Sequence, residues 1–555
     1  MSLGALMRGA PLAVVLWGCA SVAPVGAVSD PVVQAPGGVV RGREVGEILA
    51  FKGIPYAAPP VGELRWRPPQ PAQAWTGVRD ASDFGPACVQ PTSRTRHIYS
   101  VDLGPTSEDC LSLNVWTPDV SGRAPVFVWI HGGSLVAGSS KEPWYDGRRL
   151  AEEGVVVVSI NYRLGALGFL AHPELSAETP EDVSGNYGLM DQVAALEWVR
   201  DNISAFGGDP SNVTIAGESA GALSVMYLMA SPRAQGLFHK AIAQSAYMIS
   251  TPALKTPVHG ESAAEAAGQA VAAALSAPDV EALRALDAQA LTDGAAAAGF
   301  FARAVVDGAW LTDQLPAVFE NGDQARVPIL AGFNSGEIRS LRMLAPPVPS
   351  SAAEYERIIR ERYGDLADDF LALYPSGDLT EASLAAARDA LYGWTTERLA
   401  RSQMAVGQAS YVYLWDHGYP AMDDAGLHAF HASELPYVFG AFDRVPQLWP
   451  AIPATNTERG LSQAMIEYWT SFARDGAPLA ARSPAWPPFR EGRAYMAFED
   501  RPTPRADLAP GMFVLHERTV CRRRQAGDQP WRWNTGTASP VLPGPHPACD
   551  REGAR

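Results

Sequence analysis

The amino-acid sequence predicts an α/β fold with a large, mostly parallel central sheet flanked by helices. The first observation is a set of short apolar runs rich in β-branched residues, which are typical of strands buried on both faces. The second is a helical pattern over 189–205, where apolar residues recur at a spacing of three to four before a Gly-Gly-Asp-Pro turn. Strands that alternate with helices indicate a doubly wound sheet. The apolar runs are residues 125–130, 154–160, 213–216 and 327–331.

The N-terminus has the features of a secretory signal peptide. Arg8 precedes an apolar stretch, 11–17, which is followed by small residues and is too short to span a bilayer. We expect residues 1–27 to be removed by cleavage after Ala27, which makes the protein secreted or periplasmic. The alternative is lipidation of Cys19, because residues 16–19 resemble a bacterial lipoprotein box, although the tryptophan in it fits poorly.

Residues 28–524 are expected to form a single domain. Two helical stretches, 261–297 and 352–401, interrupt its strand pattern, and we expect the first to be an insertion over one face of the sheet. Residues 525–555 are rich in Arg, Pro and Gly, which favours a loosely ordered C-terminal tail.

The composition excludes several classes of function. The formal net charge is −16 and the pI is about 5.1, whereas a protein that binds the phosphate backbone of nucleic acids needs a basic face. No segment after the signal is apolar for long enough to span a membrane. Neither a zinc-type spacing nor a phosphate-binding loop is present, so we expect no metal and no cofactor. The oligomeric state does not follow from the sequence.

The chain has five cysteines, and removal of Cys19 with the signal leaves four, which allow three pairings. We favour a pair between Cys88 and Cys110, which closes a loop. Cys521 and Cys549 are then left to tie down the tail, although whether they pair stays open. Free thiols in a reducing compartment are the alternative, and the signal peptide argues against it.

The chemistry is concentrated in a Gly-x-Ser-x-Gly motif over 217–221, directly after one apolar run and before a helical pattern. In this strand–turn–helix context the motif carries a nucleophilic serine. The turn is so sharp that glycines are needed on both sides for the helix to approach the strand. We therefore predict that Ser219 is a nucleophile and that the N–H of Ala220 points at an oxyanion.

A second glycine-rich motif, His-Gly-Gly-Ser over 131–134, follows the apolar run that ends at residue 130. Acyl transfer creates a negatively charged oxygen, and each preorganised N–H donor to it contributes about 3–4 kcal/mol to catalysis. We assign the amides of Gly133 and Ser134 to this role beside Ala220. A simple glycine turn is the alternative reading of this motif.

Several further motifs appear in a fixed order over residues 39–521. They are Phe-Lys-Gly-Ile-Pro-Tyr-Ala at 51–57, Glu-Asp-Cys-Leu-Ser-Leu-Asn-Val-Trp at 108–116, Asn-Tyr-Arg at 161–163 and Gly-Asn-Tyr-Gly at 185–188. Together they resemble the type-B carboxylesterase/lipase family, the cholinesterase-like branch of the α/β-hydrolases, to which bacterial nitrobenzyl-type esterases belong. The resemblance implies the α/β-hydrolase fold, hydrolysis of small-molecule esters without a cofactor, helical insertions over the active-site face, and the Cys88–Cys110 disulfide.

The resemblance also supplies the partners of the serine. His431 lies in a segment, 430–440, that closely resembles the family's catalytic-histidine segment, and His428 is its rival. Glu337 stands just past an apolar run, where the family places its acid, and Asp307 and Asp313 are weaker candidates. The order serine, acid, histidine is that of α/β-hydrolases. The family pattern further implies that Glu218 and Ser245 lie behind the Ser219–His431–Glu337 triad.

The substrate is less determined than the reaction. Where cholinesterases carry a tryptophan between the paired cysteines, this loop has Arg94, Arg96 and His97, which argues against choline esters. With Arg339 and Arg342 they favour esters that bear free carboxylates, such as tricarballylate-type mycotoxin esters. Solvated surface arginines are the simpler explanation. A lipase, an amidase or thioesterase, and a non-catalytic binding protein of the same fold remain alternatives.

Overall fold

The computed structural model describes Met1 and residues 30–92, 97–490 and 492–550. The predicted signal peptide with Cys19, and also Arg94 and Arg96, therefore fall outside the described residues, apart from Met1. The strands are β1 Val32–Ala35, β2 Gly38–Arg41, β3 Arg43–Val45, β4 Ile48–Pro55, β5 Val78–Asp80, β6 Ala87–Cys88, β7 Thr106–Ser107, β8 Ser112–Thr117, β9 Ala124–Ile130, β10 Val156–Ile160, β11 Gly208–Glu218, β12 Lys240–Gln244, β13 Ile329–Asn334, β14 Ser410–Trp415, β15 Ala494–Phe498 and β16 Pro502–Ala506.

The helices begin and end as follows. They are α1 Arg148–Ala151, α2 Gly165–Phe169, α3 Pro173–Ala177, α4 Tyr187–Asn202, α5 Ala220–Ala230, α6 Ala264–Ala274, α7 Val280–Ala285, α8 Ala288–Ala297, α9 Leu315–Asn321, α10 Ala352–Tyr363, α11 Ala367–Leu373, α12 Leu379–Arg388, α13 Trp394–Ala405, α14 Pro420–Asp424, α15 Leu435–Val438, α16 Asn456–Asp475 and α17 Met512–Ala526. A π-helical segment, Asp389–Gly393, joins α12 to α13.

An 11-stranded sheet organises the described residues, in the order β16-β15-β14-β13-β12-β11-β9-β10-β8-β4-β3. The neighbouring strands β15, β14, β13, β12, β11, β9 and β10 pair in parallel. Antiparallel pairs complete both edges. All four predicted apolar runs are strands of this parallel region, so the prediction of a mostly parallel sheet is confirmed.

The central strands are buried on both faces, which explains why they are apolar without interruption. In β9, Val126, Val128 and Ile130 pack into one core, whereas Phe127 and Trp129 between them pack into the other. Successive side chains of a strand point to opposite faces, so each strand contributes to both cores. Helix α5 packs in the first core and helix α16 in the second.

The predicted helical stretches form helices. The pattern over 189–205 is α4 and the 3₁₀ turn Ile203–Phe206, which ends at Gly207 in a left-handed conformation. The stretch 261–297 holds α6, α7 and α8, and their apolar side chains pack with Trp66 and Leu167 in a separate cluster. The stretch 352–401 holds α10 to α13.

The structure contains the favoured disulfide, Cys88–Cys110, and also pairs Cys521 with Cys549, which the sequence analysis leaves open. The first closes a loop that reaches helix α8, where the N–H and hydroxyl of Thr92 both donate to Asp293 at 2.7 Å. The second joins the middle of α17 to the C-terminal segment, 28 residues later in the chain.

The C-terminal segment differs from the loosely ordered tail that its composition predicts. Residues 527–550 pack along the domain, and Trp531 and Leu542 are buried in two of its hydrophobic clusters. Arg522 on α17 forms an ion pair with Asp550 at 2.8 Å. A few buried side chains, ion pairs such as those of Asp550 with Arg518 and Arg522, and one disulfide fix a segment whose Pro and Gly content alone favours disorder. Within the described part of the chain, no helix is long and apolar enough to cross a membrane.

Candidate active site

Ser219 occupies a strained turn between strand β11 and helix α5. Its backbone has φ 57° and ψ −122°, a combination that residues with a side chain rarely adopt. Backbone strain of this kind costs about 1–3 kcal/mol and persists only where the surrounding structure enforces it. The turn lifts the partly exposed Ser219 above the carboxyl end of β11.

The two glycines of the motif are required by close backbone contacts. A Cβ on Gly221 would lie 2.0 Å from the carbonyl oxygen of Ile130 in β9, and a Cβ on Gly217 would lie 2.5 Å from the backbone of Gly221. No side chain fits at either distance. The glycines therefore let α5 start directly over the sheet, which holds the serine at the top of the turn.

The glycine-rich loop after β9 lies against the same turn. A Cβ on Gly132 would lie 2.9 Å from the carbonyl oxygen of Glu218. Gly133 has φ 103°, and its carbonyl accepts from the amides of Val136 and Ala137. Ser134 and Leu135 follow with φ of 59° and 60°. Among the described residues, no carbonyl accepts from the amides of Gly133, Ser134 or Ala220.

His131, which begins this loop, is held as a neutral side chain. Burial lowers its pKa to about 4, and its ring stacks on Tyr162 with centroids 4.6 Å apart. The hydroxyl of Tyr162 donates to the carbonyl of His131 at 2.9 Å. These contacts fix the start of the loop without adding a charge beside Ser219.

Glu337 and His431 form a hydrogen-bonded pair. Glu337 lies in the segment after β13, and His431 lies in the segment between α14 and α15. Glu337 is fully buried just after β13, and its Oε2 accepts from Nδ1 of His431. Its other oxygen accepts from the amide of Asn334 at 2.9 Å, which orients the carboxylate. The ring of His431 also packs on Tyr392, with centroids 5.5 Å apart.

Nε2, the remaining nitrogen of His431, faces the Gly-x-Ser-x-Gly turn over 217–221, which we call the elbow. It lies 3.1 Å from Oε1 of Glu218, the residue that precedes Ser219. No hydrogen bond joins Ser219 to His431 within the described residues, and in unliganded hydrolases such bonds often tighten only when substrate binds. The structure thus places the His431–Glu337 pair against Glu218, the residue that precedes Ser219 in the chain.

The charges at this point are coupled. Burial raises the pKa of Glu218 to about 8, against the attraction of His431. Burial by itself lowers the pKa of His431, but the carboxylates of Glu218 and Glu337 outweigh it and raise that pKa to about 9. The raised pKa values of Glu218 and His431 describe competition for a single proton, because Glu218 raises the pKa of His431 only while Glu218 itself is ionised. Glu434 and Glu337 lie nearby and add negative charge, so Glu218 retains its proton more tightly than an ordinary carboxyl.

A buried polar network lies beneath the histidine loop. Gln244 accepts from the indole N–H of Trp469 and donates to Glu434, each at 2.9 Å. Glu434 in turn accepts from the side chain of Asn334 at 2.7 Å. Burial raises the pKa of Glu434, and these neutral donors oppose the shift. The network ties β12, β13 and the segment that carries His431 into one unit.

The disulfide-closed loop also contacts the site. The hydroxyl of Tyr99 donates to the backbone carbonyl of His431 at 2.8 Å and is also hydrogen-bonded to the hydroxyl of Ser340, 2.6 Å away. Neither Tyr99 nor Glu434 was singled out from the sequence. Glu434 belongs to the histidine segment itself, so its position beside His431 was a usable signal, whereas Tyr99 lies in a loop with no recognisable pattern.

The rival candidates are engaged elsewhere. His428 is 39 % exposed, and its two ring nitrogens face Asp416 and Asp423. The carboxylate of Asp307 caps the amides of residues 309–311, and that of Asp313 accepts from its neighbour's amide.

Ser245, expected behind the triad, is buried and its hydroxyl has no partner among the described residues. No cluster suited to a metal ion occurs among the described residues.

Comparisons with known proteins show the family of the chain. The family model described as "Carboxylesterase family" matches residues 29–510. The chain belongs to the carboxylesterase family. The sequence-based prediction of the family is thereby confirmed, and with it the prediction that the protein is a carboxylic ester hydrolase.

Three relatives of this carboxylesterase illustrate the match. A fumonisin B1 esterase of Sphingopyxis macrogoltabida is 38 % identical over 86 % of this chain and 89 % of its own. The para-nitrobenzyl esterase of Bacillus subtilis is 35 % identical over 84 % and 94 %. A crystal structure of a Geobacillus stearothermophilus carboxylesterase superposes with a TM-score of 0.75 at 34 % identity, over 87 % and 99 %. The solved structures to which the chain is similar have the α/β-hydrolase fold, as the sequence predicts for this carboxylesterase.

Replacement of Gly221 by alanine tests the backbone contact at the elbow. The new Cβ would meet the Ile130 carbonyl, so we expect Gly221→Ala to destabilise the carboxylesterase by about 1–3 kcal/mol or more, measured by chemical unfolding. Gly460→Ala is the matched control, since Gly460 is also helical, is exposed and has nothing within 4 Å of a Cβ. That control should be neutral or stabilising. Equal stability of the two variants would show that the contact is unimportant.

Replacement of Glu218 by glutamine tests the coupled charges. Ionised Glu218 raises the pKa of His431, and only the neutral imidazole can accept a proton. We therefore expect the acidic limb of kcat/KM for p-nitrophenyl acetate to move about one pH unit or more to lower pH in Glu218→Gln. Asp201→Asn, which removes an exposed carboxylate on α4 that pairs with its neighbour Arg200, is the control. An acidic limb at the wild-type pH in both variants would contradict the assignment.

Proposed function

We propose that the protein is a secreted serine carboxylesterase that forms an acyl-enzyme on Ser219, with His431 and Glu337 as its partners. The observation that supports this most strongly is the strained turn at Ser219 beside the buried His431–Glu337 pair. A positive φ at a serine is costly, and a fully buried carboxylate on a histidine is the arrangement that keeps the imidazole in one tautomer.

In the proposed reaction, Nε2 of His431 takes the proton of the Ser219 hydroxyl as Oγ attacks the ester carbonyl. Glu337 holds the proton on Nδ1 and stabilises the imidazolium that forms. The imidazolium then gives its proton to the alcohol oxygen as the ester C–O bond breaks. Water repeats the sequence on the acyl-enzyme, which releases the carboxylic acid and restores Ser219.

The amides of Gly133, Ser134 and Ala220 are proposed to stabilise the oxyanion. All three lie at the elbow and are free of backbone acceptors in the described structure. Their positions are fixed by the glycine contacts and the left-handed turn, so they need no reorganisation during the reaction. Glu218, beside Nε2, is proposed to set the proton affinity of the histidine.

Secretion is part of the proposal and is supported by the predicted signal at residues 1–27 and by the two disulfides. N-terminal sequencing of the exported protein should begin at Val28. A lipid-modified residue at Cys19 would establish the lipoprotein alternative instead.

A second candidate function is hydrolysis of esters that carry free carboxylates. The relative named as a fumonisin B1 esterase fits this alternative. Arg342 is exposed, and it follows Ser340, which is hydrogen-bonded through Tyr99 to the His431 loop. Arg339 forms an ion pair with Glu381 at 2.8 Å and is less available to a substrate. Arg342 is therefore the stronger candidate for contact with an anionic substrate.

The assignment of the nucleophile is tested with Ser219→Ala on p-nitrophenyl acetate, butyrate and palmitate. We expect a loss of kcat of about 10⁴-fold or more. Ser134→Ala is the matched control and should keep most of its activity, because Ser134 is proposed to act through its backbone amide. Activity that survives Ser219→Ala would overturn the assignment. Preference for the palmitate ester would favour a lipase, and an inactive wild type would favour a narrow substrate range or the binding-protein alternative.

The second candidate is tested with Arg342→Gln on matched esters that differ in one free carboxylate. We expect kcat/KM for the anionic ester to fall about tenfold with little change for the neutral ester, as expected for loss of one charged hydrogen bond. Arg501→Gln, on the exposed surface near the β15–β16 turn, is the charge-matched control. An equal effect on both esters would exclude recognition of the carboxylate by Arg342.

A further inference from the structure

A group of buried donors without acceptors lies away from Ser219, around helix α17 and the C-terminal segment. The described structure buries five arginines, which are Arg65, Arg163, Arg398, Arg522 and Arg523. The first four each form an ion pair with a carboxylate. Arg523 is only 3 % exposed, and it forms no ion pair with any described residue.

The hydrogen bonds of Arg523 are all to neutral groups. Its guanidinium donates to Ser539 Oγ at 2.7 Å and to the carbonyl of Asn534 at 3.2 Å, with a longer contact of 3.4 Å to Asn534 Oδ1. Its Nε has no acceptor among the described residues. Burial lowers the pKa of Arg523. A buried charge without a counter-charge is costly, and proteins nearly always pair such groups.

Arg523 also lines a cavity between α17 and the C-terminal segment. Trp531, which is 3 % exposed, also lines the cavity, and its indole N–H has no acceptor in the described structure. Arg532 stands at the edge of the cavity, partly exposed. Its nearest carboxylate, Glu261 at 3.4 Å, is shared with Arg303.

The remaining lining residues bring no negative charge. Among the residues that line the cavity none is acidic, and the polar ones other than the arginines and Trp531 are His516, Thr519 and Thr535. Burial lowers the pKa of His516 to about 4, so this histidine is neutral. The cavity is therefore lined by two arginines and by no carboxylate, and Nε of Arg523 and the indole N–H of Trp531 have no acceptor in the described structure.

We propose that this cavity is a binding site for a small anion, held by Arg523 and the indole N–H of Trp531. The fitting chemistry is that of a carboxylate or an inorganic oxyanion such as phosphate, because a charged N–H such as the free Nε–H of Arg523 forms its strongest hydrogen bonds with anionic oxygens. The site uses residues after position 510, beyond the family match, and does not depend on the proposed hydrolytic function.

The cavity lies next to the wall behind the histidine, which is formed by Tyr392, packed on His431, and by Tyr247, packed on Tyr392. Leu391 and Met248, the chain neighbours of these tyrosines, line the cavity. A bound anion thus braces the C-terminal segment against the wall that holds the His431 ring.

The test is anion binding by the full chain, measured by isothermal titration calorimetry and by the midpoint of thermal unfolding at constant ionic strength. Sodium phosphate and sodium acetate are the two probes. A ligand that binds the folded state raises the midpoint as its concentration passes the Kd. We expect at least one probe to bind, and the probe that binds identifies the site as one for an inorganic oxyanion or for a carboxylate.

Two variants separate the site from general salt effects. Arg523→Gln should weaken the Kd about tenfold or more and remove the rise in the unfolding midpoint, since one charged hydrogen bond is lost. Trp531→Phe keeps an aromatic side chain but removes the N–H donor, and should weaken binding while the protein stays folded. Arg501→Gln, which removes an exposed charge, should behave as wild type. Failure of both probes to bind, or equal binding by wild type and Trp531→Phe, would overturn the proposal.

Discussion

The site depends on one steric constraint, the contact between the backbone of helix α5 and the end of strand β9. The carbonyl of Ile130 comes so close to Gly221 that only a hydrogen atom fits between them. The contact fixes where α5 begins, and the start of α5 forces Ser219 into its left-handed conformation. The same strand continues into the loop of Gly133 and Ser134. The positions of the serine and of the amides around it thus follow from a single point of backbone packing.

The electrostatics of the site follow from burial. Glu218, Glu337 and Glu434 are all buried around one histidine, and none of them faces an arginine or lysine in the described structure. Three carboxyl groups in such a place compete for few protons. The backbone amide of Asn334 donates to Glu337 and orients its carboxylate. The side chains of Asn334 and Gln244 donate to Glu434 and orient it in the same way. In the described structure Oε1 of Glu218 faces His431 and is held by no hydrogen-bond donor, so the protonation of Glu218 is the most sensitive to changes at His431.

The sequence predicts those parts of the molecule in which local chemistry has one solution. The Gly-x-Ser-x-Gly turn, the buried strands and helix α4 are of this kind, because close backbone contact requires glycine, burial on both faces requires apolar side chains, and the helix shows a clear apolar spacing. His431 and Glu337 were located only through the resemblance to a family, since a lone histidine and a loop carboxylate carry no local signal. Tyr99 was missed because its contact with the His431 carbonyl is made across 332 positions of the chain.

The C-terminal segment was also beyond sequence reasoning, and its packing has a consequence for recombination with relatives. Met512, Phe513 and Trp531 belong to the same hydrophobic core as the central strands. A chimera joined at residue 510, the limit of the family match, would thus exchange part of its own interior rather than an appendage. Parental chains are compatible at that junction only if α17 and the segment after it are inherited together with the strands they cover.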